Sequence, residues 1–142
     1  MTNTPMNVRA SCHCGAVELE ASLPFGLEDI GRCTCSFCAR RQAAAVTAIA
    51  SSVNVLKGAE NLTLYSWNTH TAQHYFCKTC GIYTHHNRRS NPHEIGINLA
   101  CLTGYTPFLP EIIVNDGQNH PTDAGMNGVV GVLRFEATEI IE

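Results

Sequence analysis

Apolar and polar positions alternate through much of the chain, and the alternation predicts strands. Val8 to Leu23 carries Val17, Leu19 and Ala21 on one face, as a half-buried strand or hairpin does, and Pro24 and Gly26 end it. Ala45 to Ile49 and Val53 to Leu56 read as short strands, the second closed by Lys57-Gly58. Leu62 to Trp67 and Gln73 to Phe76 are also β-like. The pattern is sharpest from Glu94 to Leu102, where Ile95, Ile97, Leu99 and Cys101 share one face and Glu94, Gly96, Asn98 and Ala100 the other. Asn115 to Gly128, rich in Asn, Gly, Asp and Pro, reads as an exposed loop, and Val129 to Phe135 as a closing strand. No long segment has helical period, and nothing repeats at a fixed period beyond the cysteine pairs. The expectation is a mainly β fold.

A chain of 142 residues supports one hydrophobic core. The reading is therefore a disordered leader over residues 1–7 and a single domain over 8–142. With 44% hydrophobic and 15% charged residues, the composition is that of a globular protein. The leader has neither a basic start nor an apolar run, and the longest apolar stretches, such as Ala43 to Ala50, fall far short of a membrane span. A cytoplasmic protein without a membrane partner is expected. The formal charge of −3 disfavours a nucleic-acid partner, and the basic pairs Arg40-Arg41 and Arg88-Arg89 read as solvated surface. A homo-oligomer is compatible with all of this.

Eight cysteines change the picture. With no export signal, and with cysteines only two or three positions apart, metal ligation explains them better than disulfides. In Cys12-His13-Cys14-Gly15, residues two apart on an extended chain point the same way and offer two thiolates to one ion. Phe76-Cys77-Lys78-Thr79-Cys80-Gly81 is a Cys-x-x-Cys turn, followed by the glycine that lets the chain leave at positive φ. Cys12, Cys14, Cys77 and Cys80 together make the closed tetrahedron of a structural zinc; the competing reading is four free thiols packed in a core.

Cys33-Thr34-Cys35-Ser36-Phe37-Cys38 offers three thiolates within six residues. Three protein ligands are the usual count for a catalytic zinc, which keeps its fourth position for water or substrate, so Cys33, Cys35 and Cys38 are assigned to a second, open Zn²⁺. The alternative closes that ion with Cys101 or with one of His13, His85 or His86. Cys101 itself, beside Ile95, Ile97 and Leu99, fits a small buried hydrophobe better than a ligand. His70 and His74 read as polar strand or loop positions, and His85-His86 as the histidines better placed for a role near a metal.

The ordered set Ser11-Cys12-His13-Cys14-Gly15, Cys33-Thr34-Cys35-Ser36-Phe37-Cys38 and Phe76-Cys77-Lys78-Thr79-Cys80-Gly81, with Gly96-Ile97-Asn98 and Cys101-Leu102 downstream, resembles the glutathione-dependent formaldehyde-activating enzymes and their relatives, which include centromere protein V. The likeness covers about Val8 to Leu102. It implies a β-rich zinc fold of the β-tent type, a structural zinc on the outer pairs and a second zinc on the middle triple. It also implies carbon–sulfur lyase chemistry that joins a thiol such as glutathione to formaldehyde or another small aldehyde. Zinc at an open site binds a thiolate at neutral pH or polarises an aldehyde oxygen. Arg40 or Arg41, just past the triple, is placed to pair with a carboxylate of an anionic thiol. No general base is identifiable. The competing functions are a non-catalytic zinc module for protein or nucleic-acid contact, and a thiol redox sensor that releases metal on oxidation.

Overall fold

A computed structural model describes residues 5–67, 69–88, 91–118 and 128–138. In chain order its strands are β1 (Met6–Ser11), β2 (Glu18–Leu23), β3 (Ile30–Cys33), β4 (Ala45–Ile49), β5 (Asn54–Lys57), β6 (Leu62–Tyr65), β7 (Gln73–Cys77), β8 (Tyr83–Asn87), β9 (Glu94–Asn98), β10 (Glu111–Asn115) and β11 (Val129–Arg134), with one short helix, α1 (Ser36–Arg41), after β3. They form a three-stranded sheet in the order β1-β2-β5 and an eight-stranded sheet in the order β11-β10-β3-β4-β9-β8-β7-β6. Neighbouring strands pair antiparallel except β10 with β3, which run parallel.

The alternation read from Val8 to Leu23 resolves into the β1–β2 hairpin, which buries Val8, Ala10, Leu19, Ala21 and Leu23. These meet Val46, Ala48 and Ile97 of the large sheet, and Leu99 and Leu102 just past β9, in the main core. β1 takes in Met6 and Asn7, two residues of the expected leader, because their backbones pair with Leu23 and Ser22; residues 1–4 lie outside the described residues. So do residues 119–127 of the expected loop. No described helix is long and apolar enough to cross a membrane.

The strand expected over Glu94 to Leu102 ends earlier. The Asn98 side chain accepts from the Ala100 amide at 3.1 Å and starts a 3-10 turn at Leu99–Cys101, yet Cys101 stays buried. Nor is β9 apolar on one side and wet on the other. Gly96, Ile97 and Asn98 are all buried, because the His86 imidazole of β8 lies where a Gly96 side chain would stand. α1, β3, β8 and β10 were not signalled by periodicity. α1 has six residues, too few to show a helical repeat, and β8 reads Tyr-Thr-His-His-Asn, whose buried Thr84 and His85 hide its strand character.

Replacing Gly96 by alanine drives a methyl group into the His86 ring. Gly96→Ala is expected to cost about 1–3 kcal/mol in urea unfolding, and Gly96→Ala/His86→Ala to recover part of that loss, since contacting residues are not additive.

Candidate metal centres

The first cluster is assembled by two hairpin turns from different sheets. In the β1–β2 turn, Cys12 N donates to Val17 O (3.1 Å) and Gly15 N to Cys12 O (3.3 Å), bringing Cys12 and Cys14 onto one side. In the β7–β8 turn, Cys77 N donates to Ile82 O (2.9 Å) and Gly81, at φ 78°, donates to Cys77 O (2.7 Å). The sulfurs of Cys12, Cys14, Cys77 and Cys80 lie within 4.8 Å of one another. Cys14 Sγ is 3.7 Å from Cys12 Sγ and 3.7 Å from Cys77 Sγ. Four sulfurs held tetrahedrally at about 2.3 Å from an ion stand ~3.8 Å apart, so the spacing suits a four-thiolate metal site. Amide groups already point at these sulfurs, Val17 N at Cys12 (3.3 Å) and Asn61 Nδ2 at Cys77 (3.1 Å). Such donors favour thiolates over thiols, and with the Cys80 amide as the leading cause the Cys77 thiol is pulled down to about 6.

The second cluster is local. Cys33 ends β3, Cys35 caps α1 by accepting from Cys38 N at 3.2 Å, and Cys38 lies in the helix, so three sulfurs converge within 4.8 Å. Among the described residues no fourth cysteine, histidine or carboxylate joins them. The chain after β10 crosses one side of this cluster. Thr34 N donates to Asn115 O (3.1 Å), Gly117 N donates to Thr34 Oγ1 (3.0 Å), and a side chain at 117 would collide with Cys33 Sγ. The three thiols compete for charge. Hydrogen bonds from its two neighbours, Cys33 first, pull the Cys35 thiol down, while sharing those bonds pushes Cys33 and Cys38 up. Three thiolates this close repel one another, so a cation among them would favour their deprotonated forms.

The helix carrying the triple packs against β7 and β8. Phe37 lies 4.5 Å from the His74 ring and 5.3 Å from Tyr65, centroid to centroid, and His74 stacks on His86 at 5.1 Å. Tyr83 Oη is 2.6 Å from His86 Nδ1, and His85, stacked on Tyr75 at 4.7 Å, bonds Thr84 Oγ1 through Nδ1 at 2.8 Å. Burial holds His85 down to about 4, burial and then the Arg41 charge hold His74 at about 4, and burial first of all lowers His86 too.

All seven cysteines assigned from the sequence fall into the two expected groups. Cys101 joins neither; its Sγ faces Tyr83 O at 3.5 Å and burial pushes its thiol up to about 12. His13 is exposed and His70 sits at φ 60° outside β7, bonded to Ser66. His85 and His86 point into the β7–β8 packing and not into either group. Arg40 Nη1 folds back to Ser36 O at 2.8 Å, whereas Arg41 turns inward to Cys38. His74 and Tyr83, which hold Arg41 there, carry no spacing signal in the sequence.

A mainly β fold with one four-cysteine and one three-cysteine group defines a protein with two sites that could each hold a metal ion through thiolates. The chain belongs to the family of the glutathione-dependent formaldehyde-activating enzyme, whose family model matches residues 7–114, a segment containing every cysteine. It is also similar to a Rhodobacter sphaeroides protein of known crystal structure, at 60% identity and a TM-score of 0.69, over 70% of this chain and 91% of that one.

Because Gly117 lies against Cys33, Gly117→Ala is expected to weaken metal binding at the triple about tenfold or more, read by chelator competition, with the four-cysteine group unaffected. The histidines set a pH dependence. His85 titrates at about 4 when folded and about 6.5 when unfolded, so its contribution is complete above 6.5 and drains as pH falls toward 4. Across that window His85→Asn should lose stability more gently than the parent, by up to one proton, or ~1.4 kcal/mol per pH unit, in urea titrations at stepped pH.

Proposed function

We propose that the chain is a two-zinc enzyme of the carbon–sulfur lyase type that joins a glutathione-like thiol to formaldehyde or another small aldehyde, as an S-hydroxymethylglutathione synthase does. The observation that carries this reading is the three-sulfur group of Cys33, Cys35 and Cys38, with no fourth ligand among the described residues, in a chain of the formaldehyde-activating family. Cys12, Cys14, Cys77 and Cys80 hold a closed, structural zinc, and the triple holds an open one. One catalytic domain over residues 8–142 contains both.

Zinc at the open centre supplies a stabilised substrate thiolate or a polarised carbonyl. The addition is redox-neutral: a sulfur–carbon bond forms, the carbonyl π bond breaks, and the thiol proton ends on the former carbonyl oxygen. Cys33, Cys35 and Cys38 anchor the centre, the Asn115–Gln118 segment closes one side of it, and Phe37 and His74 pack an apolar wall beside the helix. The partners are small molecules, and their chemistry with reduced thiolates suits the cytoplasm.

Elemental analysis should find two zinc ions per chain. Cys35→Ser should keep one ion and its fold but interconvert glutathione, formaldehyde and their adduct no faster than the uncatalysed reaction does, by exchange NMR. Cys12→Ser should unfold, since a structural zinc contributes on the order of 10 kcal/mol. A single ion in the parent, or equal loss of fold in both variants, sinks the proposal.

A further inference from the structure

Arg41 is the last residue of α1, yet its side chain turns back over the helix it ends. Nη2 donates to Cys38 Sγ at 3.4 Å, and Nη1 stands 2.9 Å from His74 Nδ1. The guanidinium carbon lies 3.8 Å from the centroid of the Tyr83 ring and 4.8 Å from that of Phe37. Nε is buried without a hydrogen-bond partner. Among the described residues no carboxylate comes within ion-pair distance of Arg41; the ion pairs there are Arg88 with Glu94 and Arg134 with Glu111. A guanidinium set between two aromatic faces and stripped of part of its water needs an anion nearby. Among the described residues, the group it touches that would carry negative charge on a metal is the Cys38 sulfur.

Charge counting shows what this arrangement does. Three thiolates on a divalent ion leave one net negative charge, which repels a further anionic ligand. A guanidinium hydrogen-bonded to one of the sulfurs brings the assembly to neutrality, so that one more thiolate returns it only to a single negative charge.

We infer that Arg41 is the charge-balancing residue of the Cys33, Cys35, Cys38 centre, a positioning residue that donates to Cys38 Sγ and admits an anionic sulfur ligand beside the three that the chain supplies. Its second half rests on the reading of that centre as an open metal site. Arg41 thus acts on the centre and not on a substrate carboxylate: both terminal nitrogens are engaged, and His74, Tyr83 and Phe37 hold the group in place. Lysine would keep the charge and lose the fork; glutamine would lose the charge.

The test uses the full chain loaded with Co²⁺. By chelator competition without added thiol, Arg41→Gln should weaken the ion at the triple about tenfold or more, and Arg41→Lys should recover most of it. The ion at Cys12, Cys14, Cys77 and Cys80 should stay put, which also shows that the variant folds. Should glutamine disturb that ion, Arg41→Met, with its apolar stem between the two rings, carries the same comparison. Visible spectra then follow two probes that have no carboxylate, β-mercaptoethanol and neutral imidazole. Arg41→Gln should bind the thiol about tenfold more weakly and imidazole as the parent does. Unchanged affinity of the triple for Co²⁺ overturns the inference, as does equal weakening for both probes. Weakening for glutathione but not for β-mercaptoethanol would make Arg41 a carboxylate reader instead. If the parent takes up no thiol, the open-site reading fails, while the chelator competition still decides whether Arg41 balances the charge of the triple.

Discussion

The architecture depends on four sulfur atoms from two hairpin turns meeting at about van der Waals distance. Cys12 and Cys14 belong to the small sheet and Cys77 and Cys80 to the large one, and with Cys14 Sγ 3.7 Å from Cys77 Sγ the two sheets are tied at one end. Hydrophobic packing alone is thin there: besides the cysteines, Val17 is buried, with Ala16 and Leu62 half-buried against it. The main core, with Leu19, Leu23, Ile97 and Leu99, lies in a separate cluster. A four-thiolate ion would supply the cohesion that apolar area does not, and the amides aimed at Cys12 and Cys77 suit the site to receive one.

The triple depends on this frame without contributing to it. Its ligands come from one short stretch of chain, but its surroundings come from three other places: the segment after β10 that brings Gly117 against Cys33, the His74 ring of β7 and the Tyr83 ring of β8. β7 and β8 also form the hairpin whose turn holds Cys77 and Cys80. The four-cysteine group therefore sets the position of the wall against which Arg41 rests. One cluster holds the sheets, and through them it shapes the environment of the other.

The two cysteine groups were legible because cysteine spacing along the chain is nearly a direct record of which sulfurs can come together. Half-buried strands such as β2 and β4 were legible because burial of one face imposes alternation. β9 shows where that logic stops: Gly96 and Asn98, on the face read as polar, are buried because His86 and Tyr83 O meet them. β8 shows the converse, a strand whose inward positions are polar and satisfied by hydrogen bonds. Arg41 was noticed only for standing near Cys38. Its inward turn is set by His74, 33 positions away in the chain, and by Tyr83, and no local pattern encodes either contact.

The different reach of the two clusters bears on the order of events during folding. Cys33, Cys35 and Cys38 lie so close in sequence that they can gather round an ion before any sheet exists, whereas Cys14 and Cys77 are separated by 63 positions and meet only after a long loop has closed. An ion held by the triple would close only a short span of chain, whereas one held by the other cluster would close a loop of 63 positions and so constrain the unfolded chain far more.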